Sequence, residues 1–113
     1  MAAVGPELFV RIAGVSGALA VALGAYGAHA FRGDVGEKKT FDTGNRYHLL
    51  HSLALLAVPL TRRPLLVGSL LASGTLLFSG GCYLSSLLEM RSAAKITPIG
   101  GMLLIAGWLC IAL

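Results

Sequence analysis

Formal charge is confined to a few places in this chain, and long silent runs lie between them. Residues 12–31, 47–61, 64–88 and 96–113 carry none, giving runs of 20, 15, 25 and 18 residues. A helix rises 1.5 Å per residue, so about 20 residues cross the hydrocarbon of a bilayer. Three runs are of that order, and the second reaches it once Arg46 and Arg62 snorkel from its ends. The pattern predicts an all-α integral membrane protein. Its fold is a four-transmembrane-helix bundle in one domain, with spans near 8–30, 44–61, 64–88 and 97–113.

Composition points the same way. Hydrophobic residues make up 56%, charged residues 12%, and mean hydropathy is +0.79. A soluble domain of 113 residues leaves too much surface exposed to hide that much apolar area. Disorder, a coiled coil and an ordinary cytosolic fold are excluded. The net charge of +4 lies between the apolar runs and forms no clustered basic face, so nucleic acid is not an expected partner. The bilayer is.

Local signals mark the helix ends. Pro6 and Glu7 suit a first turn, Pro64 opens the third helix, and Thr97-Pro98 read as N-cap and N1 of the fourth. Pro59 should bend or end the second. In the loop before it, Asp34 and Glu37 have capping-box spacing and Asp42 precedes Arg46 by one turn. Helix two can therefore start near Val35, with Phe41 dipping into lipid. Ala28-His29-Ala30 fits a signal-cleavage site, but Glu7 and the length of the run favour a retained helix.

Four spans put both termini on one face, side A, with Arg11, Arg62 and Arg63. Side B then holds Arg32, Lys38, Lys39, Arg46, Arg91 and Lys95, and the positive-inside rule turns it toward the cytoplasm or a mitochondrial matrix. Ser16-Gly17, Leu19, Gly24 and Tyr26 recur as Ser73-Gly74, Leu76, Gly81 and Tyr83, an offset of 57 residues that suggests two pseudo-repeated helical hairpins.

This topology gathers His29, His48, His51, Tyr26 and Tyr83 into the side B leaflet. Such a cluster reads in two ways. It is a site for a metal, haem or proton relay, or it is a set of interfacial anchors bonding across the bundle. Neither the metal nor any cofactor is specified by spacing, because no Glu-x-x-His pair is present. Serines sit in no nucleophile elbow, and the acids lie at span edges or in loops, so catalysis and coupled transport are not expected. The series Gly17, Ala20, Gly24, Ala28 on helix one and Ser69, Ser73 on helix three read as helix-packing faces. Cys82 and Cys110 lie near opposite membrane faces and are too far apart to bond. Trp108 reads as an aromatic-belt anchor near side A.

The segments Gly24-Ala25-Tyr26-Gly27-Ala28-His29-Ala30, Phe41-Asp42-Thr43-Gly44-Asn45-Arg46-Tyr47-His48 and His51-Ser52-Leu53-Ala54-Leu55-Leu56 resemble the transmembrane protein 256 family, domain of unknown function 423. Leu77-Phe78-Ser79-Gly80, Ile96-Thr97-Pro98-Ile99-Gly100-Gly101 and Gly107-Trp108 fit the same pattern. The Arg63-Pro64 turn and Leu71-Ala72-Ser73-Gly74-Thr75 look most like animal members. The resemblance implies a small multi-pass protein of the mitochondrial inner membrane and assigns no catalytic or binding residue. The expected function is that of a non-enzymatic accessory, assembly or organising subunit working through helix contacts, in a homo-oligomer or a larger membrane complex. The alternative is a metal, haem or lipid site, or a passive pore, at the His29/His48/His51 cluster.

Overall fold

A computed structural model describes residues 5–31, 35–88 and 91–113, Arg91 by its backbone alone. Four helices follow in order: α1 Glu7–Ala30, α2 Val35–Ala57, α3 Pro64–Leu87 and α4 Thr97–Ile111. Short 3-10 segments, Val58–Leu60 and Arg91–Lys95, close α2 and precede α4. The molecule measures 49 × 24 × 23 Å, a bundle two helices wide. α1 packs on α2, α2 on α3 and α3 on α4. The packing of α2 against α3 has no counterpart of similar extent between α1 and α4, so the two hairpins are not related by a closed two-fold arrangement.

Glu7–Ala30, Pro64–Leu87 and Ser92–Ile111 are long and apolar enough to cross a membrane. α2 is not, because Glu37, Lys38, Lys39, Asp42 and Arg46 fall in its first half. It nevertheless runs antiparallel beside α1 for most of its length. Phe41 sits against Gly27, Asn45 against Gly24 and Ser52 against Gly17.

The polarity of the bundle is inverted relative to a soluble protein. His48, His51, Ser52, Thr75, Ser79 and Ser86 are buried, whereas Leu49, Leu50, Leu53 and Leu56 line the outer face of α2. Only a lipid surround makes that arrangement favourable. Buried hydroxyls return a bond to the preceding turn: Ser52 to the His48 carbonyl at 2.8 Å, Thr75 to Leu71 at 2.7 Å and Ser86 to Cys82 at 2.7 Å. The apolar core lies toward side A, around Phe9, Leu55, Val58, Val67, Leu71 and Leu104.

Several end signals act one position away from their expected place. α2 ends at Ala57, and Pro59 lies in the 3-10 turn that follows, where a missing N–H costs nothing. Pro64 does open α3. Pro6 is the N-cap of α1, and Thr97 is the first residue of α4 with Ile96 as its cap. Thr97 reaches the Ala93 carbonyl at 3.5 Å instead of capping. Asp42 pairs backward with Lys38 at 3.1 Å, not forward with Arg46. Asp34 of the proposed capping box lies outside the described residues. Phe41 is fully buried rather than in lipid, because Gly27 leaves a hollow for its ring between Phe31 and Tyr83.

Candidate functional site

α2 carries polar groups on two inward faces, and the structure gives each its own set of partners. One set faces α1 and α3. Asn45 donates from Nδ2 to the Ala20 carbonyl at 2.8 Å and to Tyr83 Oη at 3.2 Å. His48 Nδ1 lies 2.8 Å from the same Tyr83 oxygen. One turn further, Ser52 Oγ meets Ser16 Oγ at 2.6 Å, and Ser79 donates to the Gly44 carbonyl at 2.7 Å.

The other set faces α4. Trp108 Nε1 is a donor only, so His51 Nε2, 3.0 Å away, accepts. The His51 proton therefore sits on Nδ1 and is donated to the Tyr47 carbonyl at 2.7 Å. Tyr47 stacks on the imidazole with ring centres 5.9 Å apart, and Trp108 meets it edge-on at 5.9 Å. Both ring nitrogens of His51 are engaged.

The five-ring cluster expected in one leaflet is thus divided. His48 and Tyr83 come together; His51 turns to α4. Tyr26 is 56% exposed and, with the exposed His29, faces outward from α1. Among the described residues no three His, Cys, Asp or Glu side chains converge as a metal would require. Cys82 and Cys110 are free thiols. Trp108 keeps an exposed edge, as a belt residue does, but its N–H is spent inside the bundle.

The packing faces are likewise redistributed. Ala20 and Gly24 receive Asn45, and Gly17 lies beside Ser52. Ala28 is exposed, and Gly27 takes the place expected for it. Ser69 and Ser73 face outward, with Ser73 bonded to the Ser69 carbonyl at 2.6 Å.

Because α1 packs on α2 and only lightly on α3, a groove of about 660 Å³ opens between them. Val15, Leu19, Leu23 and Leu76 line it with the polar residues His48, Thr75, Ser79 and Tyr83. Among the described residues Arg11 is the one charged residue in its lining, and it stands at the side A end. Volume and lining match a small-molecule site, which is mostly apolar with a few placed polar groups. Sequence reasoning located His48 and Tyr83 and missed Asn45 and the groove. The available signal was the amide of Asn45, three residues before His48 on the same helix, since a buried amide in lipid needs partners.

The sequence profile of DUF423, described as a protein of unknown function, matches residues 23–101. The chain is 33% identical over 114 residues to the UPF0382 membrane protein YwdK of Bacillus subtilis, covering 93% of each. It is 41% identical over 104 residues to the UPF0382 inner membrane protein YgdD of Escherichia coli, covering 85% of this chain and 79% of that one. It is 32% identical over 114 residues to the UPF0382 membrane protein SERP0230 of Staphylococcus epidermidis, covering 95% and 93%. No solved structure matches.

Proposed function

Since the chain belongs to the DUF423 (UPF0382) family of membrane proteins, we propose that it is a non-enzymatic accessory protein of the bilayer that holds an apolar amphiphile in the α1–α3 groove. The observation that carries this is the groove itself, a mostly apolar lining that includes the bonded pair His48 and Tyr83. α2, whose outer face is leucine-rich and whose polar groups point inward, crosses the membrane with the other three helices. Of the alternatives attached to the histidines, the geometry supports the lipid site over metal or haem. His48 and His51 serve different faces of α2, and both nitrogens of His51 already have partners.

A phospholipid with a diazirine in its acyl chain should label α1 and α3 around Leu19 and Leu76. Gly80 lines the groove, and a Cβ there would meet nothing within 4 Å, so Gly80→Phe fills the space without disturbing backbone. Labelling of those helices should fall several-fold in that variant. Equal labelling of all four helices, unchanged by Gly80→Phe, overturns the proposal.

A second reading, self-association or docking in a larger complex, is favoured by the outward small residues Gly14, Ala18 and Ala22 on α1, where backbones can approach closely. A cysteine at Ala18 should then crosslink copies or a fixed partner in membranes, and no crosslink above that of an outward site on α4 argues against it. Placement in the mitochondrial inner membrane, as an animal-type member, is supported by the Arg63-Pro64 turn and the Leu71–Thr75 segment. The Escherichia coli relative YgdD is named an inner membrane protein.

A further inference from the structure

His48 is nine-tenths buried, with 9% of its surface exposed, yet only one of its ring nitrogens has a protein partner. No buried side-chain nitrogen or oxygen lacks a partner among the described residues. Nε2 therefore keeps a small accessible surface, and the space His48 lines is the groove. The bonds at Tyr83 favour one tautomer of His48. Tyr83 Oη accepts from Asn45, so its own proton is free to go to His48 Nδ1. With Nδ1 accepting, the imidazole proton is on Nε2. In that tautomer Nε2 carries an N–H with no partner among the described residues, on a side chain that lines the apolar groove.

Resting on the groove reading above, we infer that the groove takes an uncharged, lipid-soluble carbonyl compound of the quinone class, whose carbonyl oxygen accepts a hydrogen bond from His48 Nε2. Charge and depth select this class. The sole cation of the lining among the described residues, Arg11, is about 14 Å along α1 from Ala20, which the Asn45 bond places near His48. A carboxylate or phosphate head at His48 would thus be buried without a counter-charge, at a cost of several kcal/mol. The Tyr83 backbone is four residues, about 6 Å, inside the Leu87 end of α3, and its ring leans further inward. A helix of 24 residues is about 36 Å long against about 30 Å of hydrocarbon, so α3 centred in the bilayer puts that ring inside the hydrocarbon, where a free quinone ring can travel. A groove of about 660 Å³ accepts a substituted ring with the start of a tail, and the open side lets the rest of the tail leave into lipid. A transmembrane helix, about 10 Å across, would need a longer channel.

The test uses the full chain in phosphatidylcholine nanodiscs, with decylubiquinone as probe and empty discs as the reference for partitioning. Wild type should retain a saturable excess near one quinone per chain. His48→Leu should weaken retention about tenfold, the scale of one hydrogen bond in a dry site. His48→Gln, which keeps an amide N–H near the Nε2 position, should restore most of it. Diazirine-lipid labelling of α1 and α3 in the same samples reports the groove independently and shows that each variant is folded. Equal retention in wild type and His48→Leu overturns the role of Nε2. No excess in wild type with α1 and α3 still labelled overturns the quinone class and leaves the groove reading standing. Loss of both signals in wild type overturns the two together.

Discussion

Gly100→Ala should force α3 and α4 apart and cost about 1–3 kcal/mol or more in unfolding from bicelles, the range for overpacked sites. A Cβ at Gly100 would run into the backbone nitrogen of Phe78, and would lie 2.8 Å from the Gly74 carbonyl and 2.9 Å from the Leu77 carbonyl carbon. All three are main-chain atoms, so no rotamer change relieves the overlap and one helix must move. Elsewhere the same chemistry has room. At Gly101 the nearest atom is the Phe78 ring at 3.7 Å, an ordinary contact. Gly101→Ala should therefore be close to neutral. Steric-trap or denaturant unfolding of the two variants side by side gives the answer, and equal stability would remove close backbone approach as the reason α3 and α4 pack.

The contrast between Gly100 and Gly101 shows what can and cannot be read from the chain alone. Uncharged runs sufficed for α1, α3 and α4, because bilayer thickness converts run length directly into a crossing helix. α2 was half legible. Its start near Val35 and its apolar second half were readable, but not that the charged first half packs inside the bundle, where Phe41 and Asn45 find Gly27 and Gly24 opposite. Which glycine receives a neighbour is a property of helix rotation, and sequence spacing does not set it. The ring cluster failed for the same reason. Tyr26 and Tyr83 occupy equivalent places in the 57-residue repeat, yet one faces outward and the other bonds His48. His51 sat three residues from His48, near enough in angle to suggest a shared site. The Trp108 N–H, arriving from α4, takes it away.

Asn45 carries the most consequential polar contact missed by sequence, and changing it should have the larger effect on the groove. Its amide nitrogen uses one hydrogen on α1, at Ala20, and one on α3, at Tyr83, so a single side chain fixes three helices around the groove. In Asn45→Asp the shape is kept while the donors are lost, and an oxygen then confronts the Ala20 carbonyl. Ionised, it is a charge inside the bundle; protonated, it can serve only one of the two acceptors. Insertion scales put such an acid at about 2.5–3.5 kcal/mol in mid-span, and a site nearer the helix end should show about 2 kcal/mol. Asn45→Ala should lose less, about 1 kcal/mol, since Tyr83 retains His48 and measured interhelical bonds average about 0.6 kcal/mol. Gly24 supplies an internal check. A Cβ there would fall 2.9 Å from Asn45 Oδ1, so Gly24→Ala should destabilise the wild-type chain and become nearly silent beside Asn45→Ala. Strictly additive effects in that cycle would mean that Asn45 does not hold α1 in place. With the clamp released, α1 is free to settle on α3 and close the groove, so diazirine labelling around Leu19 and Leu76 should fall in Asn45→Asp even where the protein still inserts.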